Sequence, residues 1–146
     1  MKCVILAGGL GTRLAEETGR VPKPMVEIGD RPILWHIMKY YYSFGVDEFI
    51  ICGGYKQEVI KHYFMNYMQT MKILSIDSRN GAFKTDATDS SMERWKVTIV
   101  DTGEKSMTGG RLKNIRPFLD PGEVFHFTYG DGLADVDLNA LVLAHK

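Results

Sequence analysis

Residues 2–13 read Lys2-Cys3-Val4-Ile5-Leu6-Ala7-Gly8-Gly9-Leu10-Gly11-Thr12-Arg13, a short apolar run that leads into a loop with three glycines in four positions. The apolar run predicts a strand that is covered on both faces of a sheet. The glycines allow backbone N–H groups to turn toward a phosphate and approach it closely. Thr12 adds a hydroxyl donor, and Arg13 adds a planar guanidinium that can donate paired hydrogen bonds to phosphate oxygens. The stretch therefore predicts a buried strand followed by an anion-binding loop, and the alternative is an ordinary tight turn.

Apolar runs and helical patterns alternate along the rest of the chain. Because strands that alternate with helices form parallel sheets with right-handed crossovers, we expect an α/β fold of Rossmann-like type, a mostly parallel sheet with helices on both faces. Residues 77–94 are polar and predict an exposed loop insertion with a hairpin tip at Asn80-Gly81. We expect residues 1–146 to form a single domain. Strands are predicted over 2–7, 48–52, 72–76, 95–100 and 124–129, and helices over 33–44, 56–69, 111–119 and 138–146.

Composition excludes several classes of protein. The 146 residues contain 18 lysines and arginines and 18 aspartates and glutamates, so no global basic field exists to hold a nucleic-acid backbone. No stretch approaches about 18 uninterrupted apolar residues, so we expect no contact with a membrane. Cys3 and Cys52 both lie in apolar runs, which predicts buried reduced thiols and a cytoplasmic location.

Two further motifs place charged side chains at rigid points of the chain. Pro22-Lys23-Pro24 holds a lysine in a stiffened, extended backbone. Gly130-Asp131-Gly132 holds an aspartate just past an apolar strand, where a carboxylate together with substrate phosphates would suit Mg²⁺. The ordinary alternatives are a surface lysine and a turn-forming aspartate. Since ligands of open α/β sheets bind beyond the carboxyl ends of the strands, the loops after the first and last strands predict the site.

The segment Ser106-Met107-Thr108-Gly109-Gly110-Arg111 lies between a strand and a helix, so its donors would face a ligand or simply begin the helix. Familiar alternative sites fail on spacing. No Gly-Lys-Ser/Thr follows the first loop, so a P-loop is excluded, and Leu14 stands where a dinucleotide fingerprint needs its third glycine. The four histidines show no metal-ligand spacing. The missing third glycine argues against a dinucleotide-dependent oxidoreductase.

In this order the four elements resemble the sugar-1-phosphate nucleotidylyltransferase family, whose fold is the nucleotide-diphospho-sugar transferase type. Leu6–Leu14 is similar to the family signature, and Lys23-Pro24-Met25 to its second half. Longer runs resemble the glucose-1-phosphate cytidylyltransferases within that family, and the resemblance covers nearly the whole chain except residues 77–94. Those runs are Glu16-Glu17-Thr18, Met25-Val26-Glu27-Ile28-Gly29, Ile33-Leu34-Trp35-His36-Ile37-Met38, Ser106–Leu112 and Phe127–Gly132.

The resemblance implies an Mg²⁺-dependent reaction in which CTP and glucose 1-phosphate give CDP-glucose and pyrophosphate. The sugar phosphate attacks the α-phosphorus, and pyrophosphate leaves in line, so catalysis requires positioning and charge neutralisation. The resemblance assigns catalytic roles to Arg13 on the triphosphate and leaving pyrophosphate, Lys23 on the phosphates at the reacting centre, and Asp131 on Mg²⁺. We further expect Arg111 to donate to the O2 and N3 acceptors of cytosine. The implied substrate-binding residues are Leu6, Ala7, Gly8, Gly9, Leu10, Gly11, Thr12, Arg13, Lys23, Ser106, Arg111 and Gly130.

The chain departs from the family in length. Family members are longer, and their C-terminal half supplies most of the sugar-binding wall and a second metal-binding aspartate. We therefore expect residues 1–146 to be an N-terminal nucleotide-binding portion, completed by further chain or by a partner, with a homo-oligomer in the full-length protein. The alternatives are a nucleotide-binding module that has lost the reaction, and a transferase that uses another nucleoside triphosphate or sugar phosphate.

Overall fold

The computed structural model describes residues 1–9, 21–70, 72–88 and 93–146. Eight strands and four helices lie within these ranges, together with 3-10 turns over Lys23–Met25 and Arg116–Phe118. The strands are β1 (Lys2–Leu6), β2 (Glu27–Ile28), β3 (Arg31–Pro32), β4 (Glu48–Gly53), β5 (Lys72–Asp77), β6 (Ala82–Thr88), β7 (Lys96–Asp101) and β8 (His126–Tyr129). The helices are α1 (Ile33–Ser43), α2 (Gln57–Thr70), α3 (Thr108–Asn114) and α4 (Leu138–His145).

The central sheet has four strands in the order β7-β4-β1-β8, and all of its pairings are parallel. β1 lies in the interior of the sheet, where Val4 faces Ile50 of β4 on one side and Phe127 of β8 on the other. Its predicted identity as a buried strand is confirmed. Because parallel strands run in the same direction, the loops after β1, β4, β7 and β8 all emerge at one edge of the sheet.

Alternate residues of β1 enter two different cores, so helices cover both faces of the sheet as predicted. Cys3 and Ile5 pack with Leu34 of α1 and Ile60 of α2, and all four are completely buried. On the opposite face, the neighbouring strand residues Val4 and Leu6 pack with Ile115, which follows α3. Burial of one such side chain contributes about 1.5–3 kcal/mol, which explains why a sheet of four strands is stable here.

The cysteines are free and buried, as predicted. Burial raises the pKa of the Cys52 thiol to about 11 and raises that of Cys3 as well. Since the thiolate is the reactive form of cysteine, both side chains act as small apolar residues of the core.

Two helix boundaries are marked by local signals in the sequence. α1 begins directly after Pro32 and is followed by Gly45, whose φ of +83° is the left-handed conformation that ends a helix. α4 begins after Asp137, whose Oδ1 accepts hydrogen bonds from the backbone N–H groups of Asn139 at 2.9 Å and Ala140 at 3.1 Å. Such a cap stabilises the first turn by about 1 kcal/mol.

The segment predicted as an exposed loop contains a strand. β6 pairs antiparallel with β5, and the two form a separate ribbon. At its tip the Asn80 carboxamide accepts a hydrogen bond from Ala82 N–H at 2.9 Å, and Gly81 has a φ of +70°, so the predicted hairpin tip is confirmed. The loop prediction for residues 82–88 is corrected. Their polar composition is typical of a loop, but backbone pairing within a two-stranded ribbon needs no apolar face.

A buried carboxylate joins the chain before β7 to both helices on one face of the sheet. Glu93 is 8% exposed and accepts hydrogen bonds from Tyr67 of α2, at 2.5 Å, and from the Lys39 ammonium of α1. Tyr67 also accepts a hydrogen bond from the indole N–H of Trp35 at 3.1 Å. Burial opposes ionisation of Glu93, but the hydrogen bonds outweigh it and hold the pKa of this carboxyl below its ordinary value.

We expect Glu93→Gln to destabilise the protein at pH 7 by about 1–3 kcal/mol, because the substitution removes an ionised acceptor from the buried Tyr67 hydroxyl and from the Lys39 ammonium. A lowered pKa in the folded state means that ionisation stabilises the fold above the ordinary pKa of 4.5, and that this stabilisation is lost as the pH falls through the folded pKa. Urea denaturation should therefore show a smaller difference between wild type and E93Q at pH 4 than at pH 7. Equal differences at the two pH values would contradict this expectation. The exposed Glu58→Gln is the matched control.

Candidate functional site

A cavity of about 260 Å³ lies at the edge of the sheet where β1 and β8 end and α3 begins. Its position is the one predicted from parallel topology, beyond the carboxyl ends of the strands. The lining combines backbone of the first glycine loop with two cationic side chains, one carboxylate and three hydroxyl groups. The lining residues are Leu6, Ala7, Gly8, Gly9, Lys23, Pro24, Ser106, Met107, Thr108, Arg111, Tyr129 and Asp131.

The residues predicted for the site fall into three groups. Eight of them converge on this cavity: Leu6, Ala7, Gly8, Gly9, Lys23, Ser106, Arg111 and Asp131. Gly130 lies next to Asp131 at the end of β8 and donates its N–H to the Leu6 carbonyl at 2.8 Å. The remaining four, Leu10, Gly11, Thr12 and Arg13, lie outside the described residues. Their roles on the triphosphate stay predictions.

Lys23 is held by a rigid turn rather than by the extended backbone that its flanking prolines suggest. Met25 N–H donates to the Pro22 carbonyl at 2.8 Å, and Val26 N–H donates to the Lys23 carbonyl at 3.1 Å. Pro22 and Pro24 are buried. Since proline fixes its own φ and both rings are packed, the backbone that carries Lys23 has little freedom to move.

Lys23 and Asp131 meet at the cavity, although 108 positions separate them in sequence. The Lys23 Nζ lies 3.5 Å from Asp131 Oδ2, and the side chains are 23% and 43% exposed. Gly130 permits this approach, because a Cβ at that position would lie 2.9 Å from the Leu6 carbonyl oxygen and 3.0 Å from the Pro24 ring. A side chain at residue 130 would therefore push the proline turn away from β8, and the cation away from the carboxylate.

The Arg111 side chain is 5% exposed, and its guanidinium bonds to protein oxygens. Both terminal nitrogens donate twice within the protein, to three backbone carbonyls and the Thr102 hydroxyl. All four N–H groups of these nitrogens are therefore occupied. Donation of paired N–H groups to cytosine stays a prediction, and it would require Arg111 to exchange these bonds.

Besides Pro24 of the proline turn, three cavity residues were not predicted to have a role. Met107, Thr108 and Tyr129 line the cavity, and Tyr129 is 57% exposed at the end of β8. All three belong to the motifs that also contain Ser106 or Asp131. Their placement at the carboxyl ends of strands was the available signal, because every side chain that follows a parallel strand is a candidate for ligand contact.

Asp131 is suited to bind a divalent cation only together with oxygens from a ligand. No group of three or more histidine, cysteine, aspartate or glutamate side chains able to hold a metal exists among the described residues. One exposed carboxylate beside a cavity that can admit phosphates is a donor set that Mg²⁺ accepts, since this ion retains waters and uses substrate phosphates as ligands. The residues present therefore fit Mg²⁺ bound with a nucleotide.

The described histidines occupy the elements predicted for them. A ring nitrogen of His36 on α1 lies 2.9 Å from the Ile28 carbonyl oxygen, and His62 lies on α2. His126 on β8 is 8% exposed, and burial together with the charge of the chain N-terminus lowers its pKa. Within residues 1–9, 21–70, 72–88 and 93–146, no helix has the length and apolar character needed to cross a membrane.

Known sequences match this chain along its whole length. A glucose-1-phosphate cytidylyltransferase of Salmonella typhimurium is 54% identical over 146 residues, which are 100% of this chain and 56% of that protein. A probable glucose-1-phosphate cytidylyltransferase of Bacillus subtilis is 44% identical, again over 100% of this chain and 56% of that protein. The chain thus spans a little over half the length of these curated relatives.

The solved structure of HddC from Yersinia pseudotuberculosis complexed with GMP-PN is similar in fold, with a TM-score of 0.67 and 28% identity, and the match covers 98% of this chain and 53% of that one. The fold is therefore of the nucleotide-diphospho-sugar transferase type, as expected. The sequence profile described as nucleotidyl transferase matches residues 2–110. With its glycine loop, its proline turn and three of the four strands of the parallel sheet inside that match, the chain belongs to the nucleotidyl transferase family.

Proposed function

We propose that this chain carries the nucleotide-binding part of an enzyme that transfers CMP from CTP to glucose 1-phosphate. The observation that carries the proposal is the ion pair between Lys23 and Asp131 at a cavity bounded by the first glycine loop. A cation and a carboxylate that lie side by side can bind phosphates and Mg²⁺ at one reacting centre. The names of the Salmonella and Bacillus relatives support the choice of cytidine and glucose.

In the proposed reaction, a phosphate oxygen of glucose 1-phosphate forms a bond to the α-phosphorus of CTP. The bond between the α-phosphorus and its bridging oxygen to the β-phosphate breaks, and pyrophosphate leaves with that electron pair. Lys23 neutralises charge on the phosphates at this centre, and Arg13 holds the triphosphate and the leaving pyrophosphate. The backbone N–H groups of residues 8–12 bind phosphate oxygens. Such fixed donors act mainly by stabilising the charge that develops in the transition state.

Asp131 and the phosphates of CTP would hold Mg²⁺ in this scheme. When bound, Mg²⁺ withdraws charge from the phosphate oxygens and aligns the leaving group. The 3.5 Å ion pair supports this scheme, because an ammonium so near to Asp131 would contact the same phosphates. Asp131 keeps the lysine at the cavity before the nucleotide binds, and the lysine then exchanges the carboxylate for phosphate oxygens.

The nucleoside part of CTP would occupy the remainder of the cavity. Leu6 and Ala7 provide backbone and apolar wall at the end of β1, and Ser106 provides a hydroxyl in the same lining. Tyr129 provides an exposed aromatic face at the end of β8. A cytoplasmic location and a homo-oligomer of the full-length protein stay predictions.

The test is release of pyrophosphate with each of the four nucleoside triphosphates, in the presence of Mg²⁺ and glucose 1-phosphate. We expect release with CTP that requires the sugar phosphate, together with formation of CDP-glucose. Release with another nucleotide or sugar phosphate would replace the substrate assignment. Binding of CTP and Mg²⁺ by calorimetry without any release would instead favour a nucleotide-binding module that lacks turnover.

A further inference from the structure

We propose that Arg111 is a positioning residue, which holds together the loops that follow β1, β4 and β7 at the edge of the sheet where the cavity lies, rather than reading the base. The inference rests on the proposed function for the identity of the ligand. The positioning role of Arg111 rests on the hydrogen bonds of its guanidinium. It differs from the expectation that Arg111 selects cytosine by donating two hydrogen bonds to the O2 and N3 atoms of the base.

The guanidinium reaches the ends of three parallel strands. Its Nη1 donates to the Gly53 carbonyl at 3.0 Å, in the last residue of β4, and to the Thr102 hydroxyl at 2.8 Å, just after β7. Its Nη2 donates to the Gly8 carbonyl at 2.8 Å, in the loop after β1, and to the Glu104 carbonyl at 3.2 Å. One side chain thus joins the loops that follow β1, β4 and β7.

Additional hydrogen bonds tie the same points to one another. The Thr102 hydroxyl and N–H both donate to the Gly53 carbonyl, at 2.6 and 3.1 Å, and Tyr55 N–H donates to the Gly8 carbonyl at 3.4 Å. One turn further along the chain from Arg111, the Asn114 carboxamide donates to the Thr102 carbonyl at 3.1 Å. α3 therefore delivers two side chains to the same junction, and Arg111 is the one that also reaches the first glycine loop.

The first glycine loop is shaped to receive this side chain. A Cβ on Gly8 would lie 2.0 Å from Arg111 Nη1 and 2.5 Å from Cζ, so a side chain at residue 8 would displace the guanidinium from its present position. A Cβ on Gly54 would lie 2.6 Å from the same Nη1. Glycine at residue 8 therefore leaves room for the arginine. It would also allow the backbone to approach a phosphate closely.

The arrangement also serves the electrostatics of phosphate binding. The Gly8 carbonyl oxygen, which would repel an anion, is engaged by the guanidinium and by Tyr55 N–H. The four acceptors of Arg111 are uncharged oxygens, so none of these hydrogen bonds neutralises its positive charge. Arg111 thus shapes the loop and adds positive potential without being required to touch the ligand.

The decisive experiment compares two ligands. Inorganic tripolyphosphate contains the phosphates without a base, and CTP contains both. Arg111→Lys keeps the charge but loses the planar fork that reaches several acceptors at once. If Arg111 positions the loops, R111K should weaken binding of Mg·CTP and Mg·tripolyphosphate by the same factor, about 10- to 100-fold, because misplacement of binding groups by about 1 Å has effects of this size. Arg116→Lys, at an exposed arginine on the next turn, is the matched control and should bind both as wild type does.

Amide hydrogen exchange of the protein without nucleotide gives a second measurement that does not depend on the ligand. We expect the Tyr55 and Thr102 amides to exchange at least about tenfold faster in R111K than in wild type, while the Ile50 amide in the interior strand β4 is unchanged. Loss of CTP affinity with unchanged tripolyphosphate affinity would overturn the proposal in favour of base recognition. Unchanged exchange at Tyr55 and Thr102 would also overturn it. If wild type binds neither ligand, the proposed function fails, while the exchange rates still decide the role of Arg111.

Discussion

Nucleotidyl transfer by the D131N variant is expected to be about 1,000-fold slower than by wild type at saturating CTP and glucose 1-phosphate. The substitution is nearly isosteric but removes the negative charge that binds Mg²⁺ beside the phosphates, and loss of one preorganised electrostatic group has effects of about 100- to 1,000-fold. Asp131 is exposed and adjoins a loop, so the fold should be preserved. The measurement is kcat for pyrophosphate release as a function of Mg²⁺ concentration.

The Mg²⁺ titration separates a metal ligand from a residue that merely holds Lys23. A metal ligand predicts that D131N shifts the midpoint of the titration to higher Mg²⁺. An unchanged midpoint would contradict the assignment, even if the rate fell. Asp120→Asn provides the matched control, because Asp120 is 86% exposed and contacts Lys2 at the first residue of β1, opposite the edge where β1 ends at the cavity. Its long 3.6 Å ion pair is worth little, so D120N should keep both rate and midpoint.

The K23M variant is expected to lose about 100-fold in kcat/KM for CTP, because methionine retains the apolar stem of lysine without its positive charge at the phosphates. In contrast to D131N, the midpoint of the Mg²⁺ titration should remain close to that of wild type. Steady-state kinetics with CTP varied at saturating Mg²⁺ provide the measurement.

Lys113→Met is the control for K23M, since Lys113 is an exposed lysine of α3 outside the cavity lining. A K23M enzyme with wild-type kcat/KM would remove Lys23 from the reacting centre. A rate loss shared by K113M would show that general positive charge, rather than the lysine of the proline turn, attracts the nucleotide.

Local sequence signals were sufficient to predict two kinds of element: those whose hydrogen bonds are local and those that are completely buried. β1 was predictable because an unbroken apolar run is the pattern of a strand covered on both faces. The beginning of α4 was predictable because Asp137 bonds to amides only two and three residues away. β6 was missed because its polar sequence is typical of a loop, and because it pairs with β5 in a ribbon separate from the central sheet.

The site was predictable as a set of loops but not as a set of contacts. Parallel topology brings the ends of β1 and β8 together, so Lys23 and Asp131 were expected at the same edge of the sheet. The internal bonds of Arg111 were not foreseeable, because their acceptors are backbone carbonyls, which every residue has. No residue type marks a carbonyl as the partner of a guanidinium 103 positions away.

The contact between Gly8 and Arg111 has a consequence for protein engineering. The nearest atoms that a methyl group on residue 8 would meet all belong to the arginine, whereas a methyl group on Gly54 would also meet the backbone of Gly8, at 2.8 and 2.9 Å. Alanine at residue 8 should become tolerable once the arginine is shortened, but alanine at residue 54 should not. A mutant library that varies residues 8 and 111 one at a time would discard every compatible combination, so this pair should be randomised jointly, and residue 54 left as it is.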